Sequence, residues 1–278
     1  MNDKFIASVV IPTFGRNEFL DRAISSVISS NGSEFVEIIV VDDASPEPYC
    51  SDLLREHDVF ITLDRNSGAA IARNKGISLA LGRIIYLLDS DDFIVNRDFI
   101  SDFELYSDDV SLRYSSVSSQ GYFSTFPDIL DKNDFFDFIF FRYPHICQTS
   151  SLFFNRDLDL RFDERLPKHQ DWDFVIFSAI MNGVQVKKGN GEIFFDRSDR
   201  MSISRKKNVD KSKVWFDKIL ESDCFDVVTI DYIRFFLFSE SSKTYSIFRF
   251  LYIILKYIFS GKMRLKKALI KIYDRFLK

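Results

Sequence analysis

Residues 82–99 read GRIIYLLDSDDFIVNRDF. The apolar run from Arg83 to Leu88 ends abruptly in three carboxylates, Asp89, Asp91 and Asp92, within four residues. A run of this kind, rich in Ile and Leu and without clean alternation, reads as a strand buried on both faces. Like charges this close raise one another's pKa unless a cation or an ordered hydrogen-bond network compensates. The stretch therefore predicts a buried strand that delivers acidic groups to its carboxyl end.

Three more such runs lie upstream, Ala7 to Ile11, Glu37 to Val41 and Val59 to Leu63. Helical patterns separate them. Phe19, Leu20, Ala23, Ile24, Val27 and Ile28 make one apolar face, and Ala69 to Leu81 predicts a second helix, closed by Gly82. Strand-helix-strand alternation implies an α/β fold with a doubly wound, mainly parallel sheet. Ligands of such sheets bind outside the carboxyl ends of the strands. There the sequence places Pro12-Thr13-Phe14, Asp42-Asp43-Ala44-Ser45 and Asp89-Ser90-Asp91-Asp92. Neither GxGxxG after the first strand nor GxxxxGK[ST] is present, so a phosphate held here would need a metal. Asp89 and Asp91, supported by Asp92, offer hard oxygen ligands suited to Mg²⁺ or Mn²⁺. Asp and Ser are also ordinary turn residues, so this stretch alone does not decide between turn and metal site.

Four segments in register decide more. SVVIPTFGR (8–16), IIVVDDAS (38–45), LDRNSGAAIARNKGI (63–77) and IIYLLDSDDF (84–93) together resemble glycosyltransferase family 2, the inverting enzymes of the GT-A fold. The resemblance is close over residues 5 to 100 and looser to residue 205. It implies a nucleotide sugar as donor, UDP-linked, and Mn²⁺ or Mg²⁺ as cofactor. By the same resemblance Thr13 and Asp43 would hold the base and Asp42 would support their loop. Arg73 and Asn74 would approach the nucleotide, Asp89 the ribose, the sugar or the metal, and Asp91 the metal. Asp92 would stand behind the metal or against the donor sugar. An ionised Asp accepts only, so Asp43 suits the imide N–H of uracil. Arg73 offers planar donors suited to phosphate, and would otherwise be an exposed helix charge.

The acceptor side is expected from the second half. HQDWDF (169–174), after FDERL, resembles the family segment that usually reads EDWD, whose first Asp is the catalytic base; this implies that role for Asp171. Gln170 stands where Glu is common, which removes a neighbouring charge. Asp173 is expected to be structural and His169 to flank the site. Asp171 also opens a helical pattern, Phe174, Val175, Phe177, Ile180 and Met181 with Gly183 as C-cap, where Asp is an ordinary capping residue. His145 falls where the family lines its acceptor cleft. In FFDRSDRMSIS (194–204) the family often has a His on the metal or diphosphate; Asp199 takes that place here, with Arg200 beside it. Arg200, Arg205, Lys206 and Lys207 would clamp the diphosphate as a lid, or form a solvated basic loop.

Composition sets the remaining bounds. The 278 residues, 46% hydrophobic, suffice for one large α/β domain or two small ones. We divide them into a nucleotide-sugar half (1–110), an acceptor and catalytic-base half of the same domain (111–210) and a helical C-terminal region (211–278). Cys50, Cys147 and Cys224 form no CxxC pair, and the start lacks a signal-peptide pattern, so a cytoplasmic, reducing location is expected. The net charge of −4 is unevenly spread: residues 243–278 carry ten Lys or Arg and one acidic residue, Asp274, for +9, leaving −13 on residues 1–242. An acidic body argues against nucleic acid as a partner. In the tail, Leu265, Leu269, Ile272 and Phe276 lie opposite Arg264, Lys267, Lys271, Arg275 and Lys278. This basic amphipathic pattern fits an anionic membrane surface at the inner face of the cell membrane, or packing on the catalytic domain or a second subunit in a homo-oligomer.

The expected activity is inverting transfer to a hydroxyl of a glycan or lipid-linked sugar in bacterial surface-polysaccharide synthesis. Two alternatives stay open on the sequence, a catalytically inactive nucleotide-sugar-binding scaffold and a signalling receiver-like domain. For the latter, the VDD motif would belong after the first strand rather than the second.

Overall fold

A computed structural model of the protein describes residues 4–15, 17–47, 49, 52–125, 129–130, 135, 147–196, 208–238, 255 and 258. The four expected strands are β1 (Phe5–Thr13), β2 (Val36–Asp42), β3 (Val59–Thr62) and β4 (Gly82–Leu87). They pair in parallel in the order β3-β2-β1-β4. Side chains alternate between two apolar clusters. Val10, Ile39, Val41, Ile85 and Leu87 face one side, and Val9, Ile11, Ile38, Val40, Ile84 and Tyr86 the other. Both faces are covered, which is why these strands read as unbroken apolar runs. Helix α1 (Asn17–Ile28) sets Leu20, Ala23, Ile24 and Val27 on the second face, and α2 (Ala69–Leu79) sets Ala70, Ala72 and Ile77 on the first.

Beyond β4 the chain crosses to the far edge of the sheet. There β5 (Phe93–Asn96) and α3 (Phe99–Tyr106) precede β6 (Ser111–Ser119), β7 (Tyr122–Ser124) and β8 (Ile129–Leu130). β9 (Leu152–Asn155) then inserts antiparallel between β4 and β6, joining the two halves, and β10 (Gln185–Phe194) pairs parallel with β6 and antiparallel with β5. Among the described residues the result is one ten-stranded sheet with most of its register parallel. A receiver-like chain has no place for this inserted strand.

The second half ends in helices. Gln170–Asp173 (α4) continues as a π-helical stretch, Phe174–Ala179, and a 3₁₀ turn, Ile180–Asn182, before Gly183 at φ 78° closes it as expected. Two further helices, α5 (Val209–Glu221) and α6 (Val227–Phe238), come after it. Trp215, Ile219 and Ile233 are fully buried in the same cluster as Phe174 and Leu152, so this part of the C-terminal region shares the domain's core. Of the basic tail, only Leu255 and Ile258 are described, and Ile258 packs against that core. No helix among the described residues is long and apolar enough to cross a membrane.

Gly82 does not cap α2 as expected; the helix stops at Leu79 and Gly82 is the first residue of β4. The reason is contact with β1. A Cβ on Gly82 would lie 2.2 Å from the Ala7 carbonyl carbon and 2.5 Å from the Ser8 nitrogen. The turn before it is held by Glu37, a buried carboxylate that accepts from Ser8 Oγ (2.6 Å), the Leu81 N–H (2.6 Å) and the Gly82 N–H (3.1 Å). Because the clashing atoms are backbone, Gly82→Ala should cost about 3 kcal/mol or prevent folding, read by urea denaturation. A loss below about 1 kcal/mol would show that β1 and β4 can separate locally.

Candidate active site

The ends of β1, β2 and β4 bring Thr13, Asp42, Asp43 and the Asp89–Asp92 loop to one edge of the sheet. Most of the carboxylates there have fixed donors. Asp42 accepts from the Ser45 N–H (3.1 Å) and from its hydroxyl, and that hydroxyl in turn accepts from the Gly15 N–H (2.7 Å). The loops after β1 and β2 are thus tied together through Asp42 and Ser45. Between them Ala44 adopts φ 60°, an uncommon conformation for a residue with a Cβ. Asp43 accepts from the Ser67 N–H (2.6 Å) and the Gly68 N–H (2.8 Å) at the start of α2. Each of its oxygens keeps a lone pair for a further donor. Thr13 is buried, and its hydroxyl has no partner among the described residues.

The DSDD loop is the most acidic point. Asp92 is completely buried, accepting from Ser150 Oγ and from the Asp196 N–H (3.1 Å). Burial, and then the charges of Asp89 and Asp91, push its carboxyl well above the usual range. Asp92 anchors the loop from behind. Asp91 is half-buried at the tip. Asp89 receives Arg73 Nη2 at 2.6 Å, and its N–H donates to Ser150 Oγ (3.0 Å). Among the described residues no group of three or more His, Cys, Asp or Glu side chains is arranged to hold a metal. Asp91 and Asp89 still fit an ion of the Mg²⁺ type, which is commonly held by one or two carboxylates with substrate phosphates completing its shell.

Arg73 links the two halves of the site. It is buried, stacks on Phe162 (5.2 Å), and gives Nη1 to Gln170 Oε1 (3.0 Å) and Nη2 to Asp89. Its Nε has no partner among the described residues. Asn74 does not follow it toward the ligand. Its amide donates to the Phe162 carbonyl (2.9 Å) and accepts from the Phe162 N–H (2.8 Å), bracing the segment that leads to the next helix. That correction has a simple cause: neighbours on a helix point about 100° apart, so only one of the pair faces the strand ends.

Asp171 sits in the first turn of α4, next to Gln170, and accepts the Trp172 N–H (2.9 Å). Burial raises its carboxyl to about 6, and Arg73 opposes the rise. His169 sets the start of the helix at φ 61°, stacks on Trp172 (4.6 Å) and meets Ser212 Oγ through Nε2 (2.9 Å). Burial lowers its pKa to about 3, so it is neutral and flanks the site as expected. Asp173 is structural: Lys218 of α5 lies 2.8 Å from it and 2.9 Å from Asp163. His145, Asp199, Arg200 and the basic residues 205–207 lie outside the described residues.

Sequence reasoning does not find Ser150 and Gln148, both of which donate to Asp92, nor Arg22 and Asp196. Only the polar QTSS after an apolar stretch hints at the first pair. The others carry no motif, because their partners are distant in the chain.

The curled, mostly parallel sheet with an acidic edge at its strand ends is of the GT-A type. Residues 8–103 match the family model described as Glycosyl transferase family 2. It is 34% identical over 97 residues to the putative teichuronic acid biosynthesis glycosyltransferase TuaG of Bacillus subtilis, covering 33% of this chain and 38% of that one. It is 27% identical over 189 residues to the uncharacterized glycosyltransferase MJ1057 of Methanocaldococcus jannaschii, covering 63% and 64% of the two chains. The chain thus spans less than two thirds of the length of both relatives. Among solved structures, Staphylococcus aureus TarS (residues 1–349, in complex with UDP-GlcNAc) matches with a TM-score of 0.62 at 16% identity, over 97% of this chain and 87% of that one.

Lys218 fixes the helix of Asp171 against α5, and removing its charge would leave Asp163 and Asp173 facing each other. Lys218→Met should destabilise the protein by about 2 kcal/mol, less than for a fully buried pair because Lys218 is partly solvated. Chemical denaturation checks this, and unchanged stability would show that α5 docks through Trp215 and Ile219 alone.

Proposed function

We propose that the protein is an inverting glycosyltransferase that moves a sugar from a UDP-linked donor to an acceptor hydroxyl on a lipid-linked glycan during surface-polysaccharide synthesis. One observation carries this reading. Asp171, a carboxylate shifted to about 6, stands beside Gln170, which shares Arg73 with Asp89, so a base and a donor-binding edge meet in one place. The orphaned Thr13 hydroxyl and Arg73 Nε support a polar ligand there, since buried polar groups are normally paired.

Asp43, with Thr13 beside it, receives the base, and Asp42 holds their loop through Ser45. Asp91 and Asp89 would hold a Mn²⁺ or Mg²⁺ ion, which when bound would supply positive charge to the leaving diphosphate. Arg73 pairs with Asp89 through Nη2, and its Nε, without a partner among the described residues, is left to meet a phosphate oxygen. Asp171 takes the proton from the acceptor hydroxyl, whose oxygen attacks the anomeric carbon from the face opposite the leaving group, inverting it. The names of relatives such as TuaG support a surface-polymer acceptor. The +9 tail supports peripheral contact with an anionic leaflet, where a lipid-linked acceptor would lie. A non-catalytic scaffold would have no use for a base shifted toward neutrality.

A panel of nucleotide sugars with mass detection of products, run with and without Mn²⁺, tests the reading; no turnover or donor hydrolysis with any donor would favour the scaffold. Asp91→Asn should lose most metal-stimulated turnover yet stay folded, because an amide is a poorer ligand for a hard cation. Full activity of that variant in EDTA would remove the metal role. Asp171→Asn should lose on the order of 10² to 10⁴ in turnover while still binding UDP.

The base must be ionised to accept a proton. Turnover should therefore rise through about pH 6 and level off above it, with the rate at pH 5 about a tenth of the plateau. An inflection at pH 6 that survives in Asp171→Asn would assign it to another group.

A further inference from the structure

Resting on that reading, we infer that Arg22 of α1 and Asp196, just after β10, are positioning residues that form a latch fixing the main chain at Asp91, and with it the donor's metal ligand. Arg22 divides its fork. Nη2 donates to the Asp91 carbonyl at 2.6 Å and Nη1 to Asp196 Oδ2 at 2.7 Å. Asp196 closes the ring from the other side, its N–H donating to the buried Asp92 carboxylate at 3.1 Å. Its second oxygen accepts from Gln120 Nε2 at 3.0 Å. The preceding residue, Phe195, donates its N–H to the Ser118 carbonyl at 2.8 Å, so Asp196 is held on the sheet and does not drift with the loop. The Arg22 guanidinium lies over the Phe93 ring at 4.9 Å, and Phe93 in turn stacks on Phe194 of β10 at 4.8 Å.

Two adjacent residues of the acidic loop are thus tied to one anchor, Asp91 by its carbonyl and Asp92 by its carboxylate. Arg22 donates to the main-chain carbonyl of Asp91, the residue whose carboxylate is the proposed metal ligand. It orients the peptide that carries that carboxylate, at the point where like-charge repulsion would otherwise push the loop apart. A planar fork can make both bonds at once; an ammonium is a point charge and cannot reproduce that geometry. The Arg22 side chain is 37% exposed, and partly exposed ion pairs contribute little to global stability. Loop position and overall stability are therefore separable by experiment.

The test uses the full chain and the variants Arg22→Met and Arg22→Lys, with UDP and Mn²⁺ as probes. The Asp92 N–H, bonded to the Asp89 carbonyl at 3.0 Å, and the Asp196 N–H report the latch by amide hydrogen exchange. In Arg22→Met both should exchange on the order of tenfold faster while the denaturation midpoint barely moves. The Mn²⁺ concentration needed for half-maximal UDP binding should rise by about the same factor, and Arg22→Lys should fall between wild type and Met. Unchanged exchange at both amides would overturn the latch. Faster exchange with unchanged Mn²⁺ dependence would overturn its role at the metal ligand. Wild-type protein that binds no UDP with Mn²⁺ would instead overturn the reading of the function, while the exchange measurements would still decide whether Arg22 orders the loop.

Discussion

Five carboxylates, Asp42, Asp43, Asp89, Asp91 and Asp92, converge on one end of the sheet, and their repulsion is the constraint that the surrounding structure answers. Fixed donors surround them. Backbone N–H groups at the start of α2 take Asp43, Ser45 takes Asp42, Arg73 takes Asp89, and Ser150 with the Asp196 N–H takes Asp92. Without those donors the charges would push the loops apart. With them, negative potential is held at the place where a nucleotide diphosphate and its cation would be received.

Compensation also explains why both halves of the chain are needed. The first half makes the carboxylates, but Ser150, Gln170 and Asp196 come from the second. β9, inserted antiparallel between β4 and β6, places Ser150 behind the acidic loop. Arg73 then carries the coupling onward: buried between Asp89 and Gln170, it joins the donor edge to the helix of Asp171. Gln170 accepts from Arg73 without adding charge, so the ion pair of this Arg with Asp89 is left without a second carboxylate competing from that side.

The helix of Asp171 is fixed from its other side. His169 starts it in a left-handed conformation, and stacking among His169, Trp172 and Trp215 ties its first turn to α5. Lys218 adds an ionic link to Asp173 and Asp163. A left-handed residue with a Cβ is disfavoured by about 1 kcal/mol or more, and packing of this kind is what holds it in place. Asp171 is thereby kept in a largely desolvated position, the main cause of its raised pKa.

By itself the sequence determined the strand-helix alternation, the two-sided burial of β1, β2 and β4, and the delivery of Asp42, Asp43, Asp89, Asp91 and Asp92 to the strand ends. These depend on local periodicity and on the residues that terminate each apolar run, both of which survive in one dimension. It also placed Asp171 at a helix start. Only the tertiary structure decided that Asn74 braces Phe162, that Asp92 is completely buried, and that Gly82 belongs to a strand pressed on β1. It also supplied the unsignalled partners, Arg22 with Asp196 and Ser150 with Asp92, separated by 174 and 58 residues. The reason is physical: burial and hydrogen-bond pairing are properties of neighbours in space, and pairing across such separations leaves no period in the chain.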